Sequence, residues 1–457
     1  MSGCKHEALL LEPSTHAQEA GYKRPSQHER MIAAQSSSNT RSGRDQTTTF
    51  PAPLILPGDE LSFDPKTKGQ SMRSWQSIRN RVAHTGKRRT IYVVPPPGYA
   101  SGAEHVRDWT MPQNINAGKK GVARSQSGSQ ALSPPATEDV REYLEAFYHP
   151  LRVKLYEGSP LEFMPWNESE APNRNTPARD RIGLNIGTEA IGIRYRPCIG
   201  DLYSKQLNLN DLLDAAIAIL PKDAYAILML VDHDLYEDEA DDFCCGRAYG
   251  GSRVALVCSS RYNPAVDKLQ EVETEHVWPL SHCQAFVDAV CKGEALERPP
   301  PKRAKSKTSA RTSDPTSAML AAVDAYIHTL KTGKRTREAQ EGLWFSRLCK
   351  TASHEVGHCV GMGHCVYYAC VMQGTAGLSE DGAQPPYLCP VDLAKTLAAT
   401  GAEAKERYEA LLRFCEKWSV RPGGEMWAAY GAWLRVLLEK HSVRSGSNVD
   451  NAIELSP

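Results

Sequence analysis

The sequence predicts a mixed α/β fold in which a sheet packs against helices. Residues 224–231 (AYAILMLV) form a continuous apolar run of strand length, as expected for a strand buried on both faces. Residues 252–259 (SRVALVCS) predict a second strand. Residues 137–149 and 207–220 carry apolar side chains at helical spacing. Strands that alternate with helices in this way favour a layered α/β domain.

Composition divides the rest of the chain into segments. Residues 1–50 are polar, and we expect a disordered N-terminal arm there. Residues 51–136 predict a poorly ordered region and a linker, with one strand at 90–94. The main domain should cover 137–400, interrupted by a basic insertion loop at 292–314. Two amphipathic segments predict a helical C-terminal tail at 401–445, followed by a disordered end at 446–457.

Charge and apolar runs limit the partners that the sequence supports. The chain has 54 Lys and Arg against 54 Asp and Glu, so no net charge favours nucleic acid or a membrane surface. No run of 18 apolar residues indicates a membrane span, and the N-terminus lacks the pattern of a secretory signal. We therefore expect an intracellular, cytoplasmic protein whose 13 cysteines are thiols or metal ligands. A basic run at 299–311 leaves a nuclear location open, although a solvated loop is the favoured explanation because short basic runs are common.

The stretch HEVGHCVGMGH (354–364) predicts a metal site. His354 and His358 are four residues apart, so on a helix their imidazoles lie on one face and can bind the same ion. Glu355 would project beside that ion as a general base for a metal-bound water. Gly361 permits the sharp turn that brings His364 back as third ligand, and three ligands leave one position open for catalysis. The alternative is an ordinary helix whose histidines are satisfied by hydrogen bonds.

The longer stretch HEVGHCVGMGHCVYYACVM (354–372) resembles the archaemetzincins, a branch of the metzincin zinc metallopeptidases. The resemblance is tight over 354–393 and looser over about 145–290. It implies a metzincin-like zincin domain over 137–400, with a twisted mixed sheet packed on helices and an active-site helix beneath a cleft. His354, His358 and His364 would be ligands of a catalytic zinc, and Met372 would form an apolar floor under them. An edge strand, expected at 252–259, would pair with an extended peptide substrate.

The same resemblance implies a second zinc held by four cysteines. Cys365, Cys370 and Cys389 match the expected positions, but Asp392 stands where the family has a fourth cysteine. A carboxylate oxygen can bind zinc, although a hard oxygen among thiolates weakens a soft site. The sequence therefore leaves two options open: a retained Cys₃Asp zinc site, or a degenerate site with free thiols.

The function that follows is a zinc-dependent metallopeptidase acting on a peptide or protein substrate. Glu355 would assist the attack of a zinc-bound water on the peptide bond, with aminopeptidase-like cleavage as one option. The alternative is a catalytically inactive, zinc-stabilised module that binds peptides or proteins. Cys198 is a candidate for a blocking thiol, and the acidic run at 232–242 is expected to be a solvated loop.

Overall fold

The structure is a computed structural model that describes residues 6, 8–36, 49–78, 88–113, 131–166, 180–294, 317–334 and 336–453. For residues 252 and 441–453 it describes the backbone. Within the described residues the strands are β1 (Thr90–Val94), β2 (Gly98–Tyr99), β3 (Arg152–Leu155), β4 (Glu162–Met164), β5 (Arg181–Asn185), β6 (Ala190–Pro197), β7 (Lys205–Asn208), β8 (Ala224–Val231), β9 (Asp234–Tyr236), β10 (Gly246–Tyr249) and β11 (Val254–Cys258).

The α-helices are distributed along the whole described chain. They are α1 (Thr15–Ala20), α2 (Gln27–Ala33), α3 (Glu60–Phe63), α4 (Met72–Gln76), α5 (Thr137–Phe147), α6 (Leu209–Ala218), α7 (Gln284–Cys291), α8 (Ala318–Thr332), α9 (Arg337–Cys359), α10 (Leu378–Ala383), α11 (Pro390–Thr400), α12 (Ala404–Ser419) and α13 (Glu425–Ile453). The predicted mixed α/β class is confirmed.

A five-stranded sheet forms the centre, in the order β10–β11–β8–β1–β3. Its neighbours run parallel except for β10, which is antiparallel to β11 at the edge. The other described strands form a second sheet in the order β2–β4–β5–β6–β7–β9. Strand β8 is buried along its whole length, as the apolar run predicts. Its side chains alternate between two hydrophobic cores, with Leu228 and Leu230 in one and Ile227 and Met229 in the other.

Helix α9 lies across β8, β10 and β11 and carries the predicted metal motif at its C-terminal end. The predicted helical tail is present as α12 and α13, and it packs into the core rather than projecting from it. The ring centroids of Phe345 in α9 and Trp418 in α12 are 4.2 Å apart. Trp427 and Trp433 of α13 are also fully buried. The aromatic residues of the tail therefore support the active-site helix from behind.

The N-terminal segments differ from the expected disordered arm and poorly ordered region. Helices α1 and α2 both carry side-chain N-caps, from Ser14 and Ser26. Residues 50–55 (FPAPLI) are buried, and β1 lies inside the central sheet. The correction has a physical cause: short apolar runs separated by polar residues bury well against an existing core, although they lack the periodicity of an independent element. Residues 37–48, 79–87 and 114–130 lie outside the described residues.

Three further expectations need correction or fall outside the description. The strand expected at the edge, 252–259, lies inside the sheet between β10 and β8, because the hairpin that follows the acidic run adds β10 beyond it. Helix α13 continues to Ile453, so the backbone over 446–453 is helical rather than disordered. The basic insertion at 292–314 lies outside the described residues from 295 onward.

Candidate metal centre and active-site cleft

The three histidines of the motif converge at the end of α9. Gly361 follows the helix with a φ of 89°, in the left-handed region that glycine tolerates, and the chain turns back there. The ring centroids of His364 lie 5.4 Å from those of His354 and 5.1 Å from those of His358. The three histidines each offer a ring nitrogen within 4.8 Å of the other two. The structure thus brings together all three predicted ligands.

Hydrogen bonds set the orientation of these rings. His354 Nδ1 lies 2.7 Å from the carbonyl oxygen of Val371, and His358 Nδ1 lies 2.8 Å from that of Met362. A carbonyl oxygen accepts, so both Nδ1 atoms carry the proton and both Nε2 atoms present a lone pair. These two Nε2 atoms face each other at 2.9 Å. Two lone pairs at that distance repel unless a cation lies between them, and this is the observation that fits a metal.

Burial favours the neutral form of His354 and His358. It lowers the pKa of His358 to about 4, with a further lowering by His364. Burial likewise lowers the pKa of His354, which His358 and His364 reinforce. Neutral imidazole is the form that binds a metal ion, so the site is poised to bind at neutral pH.

Glu355 lies beside the histidines and is only 6% exposed. Burial raises its pKa to about 8, and the charge of Arg247 on β10 opposes that shift. Gly246 makes room for Glu355, because a side chain there would meet the glutamate's Cγ at 3.1 Å. Arg247 itself pairs with Glu237 at 3.1 Å. A buried carboxyl group with a pKa near neutrality can both take and return a proton.

Met372 packs under the metal-binding turn of α9. It is fully buried, and a Cβ at Gly357 would lie 2.5 Å from its Sδ. The backbone of the same segment serves the site as well, since Val371 accepts from His354 and Cys365 N donates to Met372 O at 2.7 Å. Met372 is therefore placed under the histidine pair, in the position that the resemblance implies.

The histidines open into a cleft of 1070 Å³. The edge strand β10 and residues of the segment 371–384 both line it. Asp241 and Asp242, at the end of the acidic run, line one part of the cleft, while Lys350 of α9 lines another. Lys350 donates to the carbonyl oxygen of Asp381, and this bond links α9 to α10. Strand β10 and the three imidazoles line the same cleft, so an extended chain laid along β10 would lie in the cleft with the histidines.

A second cluster forms from Cys365, Cys370, Cys389 and Asp392. Their ligand atoms all lie within 4.8 Å of one another, and all four residues are buried. Cys365 Sγ and Cys389 Sγ are 3.6 Å apart, and Asp392 Oδ2 is 3.4 Å from the Sγ atoms of Cys370 and Cys389. A tetrahedral zinc with Zn–S bonds of ~2.3 Å would hold its sulfur ligands ~3.8 Å apart. The residues present therefore fit one zinc ion closely.

Lys395 accompanies this cluster and was missed by the sequence analysis. Its Nζ lies 2.8 Å from Asp392 Oδ1, and both side chains are almost fully buried. Burial raises the pKa of Asp392 to about 7, as does Cys365, while Lys395 lowers it. The i,i+3 spacing of an aspartate and a lysine on a helix that begins at Pro390 is the signal that could have revealed the pair.

Several other candidates lie away from both clusters. Cys198 is buried against Asp234, whose Oδ2 is 3.3 Å from its Sγ, and it does not line the cleft among the described residues. Asp234 belongs to the run expected to be solvated, but it is fully buried in an ion pair with Arg261 at 2.6 Å. The expectation of a solvated loop is therefore wrong at its first residues, because β9 places Asp234 in the interior.

Two residues from the N-terminal segment also reach the site, and nothing in their local sequence indicated it. Glu60 Oε1 lies 2.9 Å from His364 Nδ1. The side chain of Gln70 bonds the backbone of Gly361 and Gly363. Both contacts join residues about 300 positions apart, so no pattern in the sequence marks them.

Comparison with known proteins finds similarity that includes the metal motif. The model of peptidase family M54 matches residues 324–395. Archaemetzincin-2 from Macaca fascicularis is 46% identical over 70 residues, which are 15% of this chain and 19% of that protein. Archaemetzincin-2 from Pongo abelii is 25% identical over 292 residues, which are 64% of this chain and 61% of that protein. Archaemetzincin-1 from Rattus norvegicus is 27% identical over 296 residues, or 64% and 45%.

The chain thus spans less than two thirds of the length of each of these three relatives. Among solved structures, the archaemetzincin from Methanopyrus kandleri matches 68% of this chain and 96% of its own, with 14% identity and a TM-score of 0.30. Across the part of the chain that the structure describes, no helix is long and apolar enough to cross a bilayer.

Proposed function

We propose that the chain is a zinc-dependent metallopeptidase of the archaemetzincin type that hydrolyses peptide bonds, and its similarity to the M54 family model and to archaemetzincin-2 supports this. The observation that carries the proposal is the pair of Nε2 atoms of His354 and His358 at 2.9 Å, with His364 beside them. Each Nδ1 faces an oxygen atom, so all three Nε2 atoms are available to one ion.

These residues fit a catalytic rather than a structural zinc. Three imidazole ligands leave a fourth position, and the site opens into the cleft on that side. When bound, zinc supplies Lewis acidity, which acidifies a water molecule and polarises the substrate carbonyl.

The chain's own residues supply the proton transfers and the substrate position. Glu355 takes the proton of the attacking water and returns it to the leaving amine, which its raised pKa suits. Among the described strands, β10 is the last of the central sheet and lines the cleft, so an extended substrate can add to it as a further strand. The buried position of Glu355 keeps it close to the ion and away from bulk water.

Cleavage from the N-terminal end of a peptide is the finer part of the proposal. An aminopeptidase must bind the α-ammonium group of its substrate, and two acidic residues, Asp241 and Asp242, line the cleft. The test compares one peptide with a free and with an acetylated N-terminus. We expect the acetylated peptide to be cut at least tenfold more slowly, and equal rates would point to internal cleavage.

The decisive variant for the reaction is Glu355→Gln. Glutamine keeps the size of the side chain but cannot take a proton, so we expect the zinc content to be unchanged and the hydrolysis rate to fall at least a hundredfold. Zinc content is measured by elemental analysis, and hydrolysis is followed on a peptide library. A variant that cuts as fast as the parent would show that Glu355 is not the base.

The second candidate function, a zinc-stabilised binding module without activity, rests on the altered Asp392 position. A peptide-library digest with and without chelator distinguishes the two. Cleavage that stops with the chelator and returns with zinc supports the peptidase. A chain that holds zinc, binds peptides and cuts none of them supports the binding module. The intracellular location, cytoplasmic or nuclear, stays a prediction.

We also propose that the Cys₃Asp cluster holds a second, structural zinc. The cluster is fully buried and Asp392 has a cationic partner in Lys395, so the site can carry the extra negative charge of its ligands. Two zinc ions per chain are expected. One ion per chain, lost when His358 is replaced by alanine, would mean that the cysteine cluster is metal-free.

A further inference from the structure

The third histidine is held by a part of the chain that lies far outside the matched family segment. The loop from Val360 to Ala369 carries His364, and residues 51–78 contact it repeatedly. Ala369 N donates to the carbonyl oxygen of Pro51 at 3.0 Å, and Trp75 Nε1 donates to that of Val360 at 3.2 Å. Residues 51–78, which we call the clamp segment, therefore bracket the loop at both ends.

Glu60 of the clamp segment makes the contact that matters most for the ion. Its Oε1 accepts from His364 Nδ1 at 2.9 Å, and both side chains are partly exposed at the cleft. A proton on Nδ1 leaves Nε2 unprotonated and turned toward the other two imidazoles. The Nδ1 atoms of His354 and His358 donate to backbone carbonyl oxygens, whereas Nδ1 of His364 donates to a side chain.

Glu60 is itself held in place from two sides. Its backbone N–H donates to Glu380 Oε2 at 2.9 Å, and the same oxygen accepts from Ala376 N at 2.7 Å. Gly374 leaves the space that the Glu60 carboxylate fills, since a Cβ there would overlap with both carboxylate oxygens. The backbone of Glu60 is thus anchored, and its carboxylate occupies space that a side chain at position 374 would take.

Gln70 fixes the turn that precedes His364. Its Nε2 donates to the carbonyl oxygen of Gly361 at 3.0 Å, and its Oε1 accepts from Gly363 N at 3.1 Å. These two bonds satisfy the polar backbone of a turn that has left the helix. Glu60 and Gln70 together orient the ring and the backbone of the third ligand.

We propose that Glu60 is a positioning residue of the metal centre, which selects the tautomer of His364 and adds a negative charge behind it. Carboxylates behind ligand histidines raise the basicity of the ring, and their removal typically weakens metal affinity by ~10- to 100-fold. The proposal rests on the metal site of the proposed function but not on the reaction, since it concerns binding of the ion.

The test uses the full-length chain with cobalt(II) in place of zinc. Thiolate ligands give intense charge-transfer bands in the near ultraviolet that a three-histidine site lacks, so these bands report the cysteine cluster, and cobalt bound without them reports the histidine site. We expect Glu60→Ala to weaken cobalt binding at the histidine site by ~10- to 100-fold. Glu60→Gln should fall between Ala and the parent, because its amide oxygen still accepts from Nδ1–H but carries no charge. The thiolate bands should be unchanged in both.

Asp64→Asn is the matched control, because Asp64 lies on the same segment, is exposed and bonds Thr67 rather than a histidine. It should bind cobalt as the parent does. Parent-like affinity of the histidine site in both Glu60 variants would overturn the proposal. If Glu60→Ala fails to fold, Glu60→Gln decides in the same way. If the parent binds cobalt at this site but cuts no peptide, the proposed reaction fails while the positioning role of Glu60 is still tested.

Discussion

At the scale of one residue, Gly357 shows that the site depends on a position without a Cβ atom. It lies between His354 and His358 on α9, over the buried Met372 Sδ. The histidine spacing was readable from the sequence because it follows from the helix period. The need for glycine at 357 was not, because it arises from a contact with a segment that returns 15 residues later.

Gly357→Ala is expected to lower stability by ~1–3 kcal/mol and to weaken metal binding at the histidines. The new methyl group would lie 2.5 Å from Met372 Sδ, so the helix must move away from its floor and take both imidazoles with it. Denaturation midpoints and cobalt titration check both effects. Gly251→Ala, at a glycine with open space around it, is the control and should change neither.

Lys395→Met tests the charge balance of the cysteine cluster. Lys395 is the buried cation next to Asp392, and removing one partner of a buried ion pair typically costs ~3–5 kcal/mol. We expect a lower denaturation midpoint and weaker cobalt binding at the thiolates, with the histidine site unchanged. Lys405→Met, at an exposed lysine of α12, should behave as the parent does. Unchanged thiolate bands and an unchanged midpoint in Lys395→Met would exclude this role for the lysine.

At the scale of elements, the helices near the C-terminus carry more of the site than their sequence suggested. The periodicity predicted α12 and α13 correctly, but it could not say which elements they cover. The ring of Trp433 in α13 is stacked on Tyr387 at 4.3 Å, two residues before the metal-cluster residue Cys389. Its Nε1 donates to the carbonyl oxygen of Thr49, so the same ring also anchors the N-terminal segment.

Trp433→Ala is therefore expected to destabilise the chain by ~3–5 kcal/mol, the usual cost of removing a buried tryptophan side chain. Thermal or urea denaturation measures it, and zinc binding at the cysteine cluster should weaken in parallel. Val420→Ala, at a residue that is 85% exposed between the same two helices, is the control and should cost almost nothing. A Trp433→Ala protein as stable as the parent would show that α13 is dispensable for this packing.

The edge strand of the central sheet also differs from the prediction. The sequence predicted the strand at 252–259 but assigned it to the edge, and β10 occupies that position instead. Strand β10 (GRAY) is short and follows a polar run, so its own residues carry little strand signal. Pairing with β11 forms it, and such pairing is decided by tertiary contacts rather than by the local pattern.

At the scale of the whole molecule, the N-terminal third is where sequence and structure differ most. Its composition indicated disorder. Residues 51–78 nevertheless contact the loop that carries His364, and Glu60 accepts a hydrogen bond from that histidine. Helix α9 with its histidines, the glycine turn and the cysteine cluster could be predicted from residues close together in the sequence. The clamp segment could not, because its contacts join positions about 300 residues apart and leave no periodic trace.

The contact between the clamp segment and Glu380 of α10 also makes stability depend on pH. Burial raises the pKa of Asp59 to about 7, and burial and the neighbouring Asp59 raise that of Glu380 to about 8. Both carboxyl groups titrate near ~4 when the chain is unfolded. Because the pKa values are higher in the folded than in the unfolded chain, the two groups stabilise the fold fully below pH ~4. This contribution to the free energy of unfolding is lost as the pH rises through the folded pKa values of about 7 and 8.

We therefore expect the metal-free chain to lose stability between pH 5 and 8 on account of this pair, measured by denaturation midpoints at each pH. Glu380→Gln should flatten that decline, because the amide can still accept from Glu60 N and Ala376 N without titrating. Glu409→Gln on the surface of α12 is the control and should keep the slope of the parent. A slope that is the same in Glu380→Gln and in the parent would mean that the pair does not govern it.

The most direct test of the metal centre is anomalous diffraction at the zinc absorption edge, on crystals of the zinc-loaded chain. We expect a peak ~2.0–2.1 Å from a ring nitrogen of each of His354, His358 and His364, with the fourth position facing the cleft and free of protein ligands. A second peak should lie among Cys365, Cys370, Cys389 and Asp392. No peak between the imidazoles, or a protein side chain closing the fourth position, would contradict the peptidase assignment.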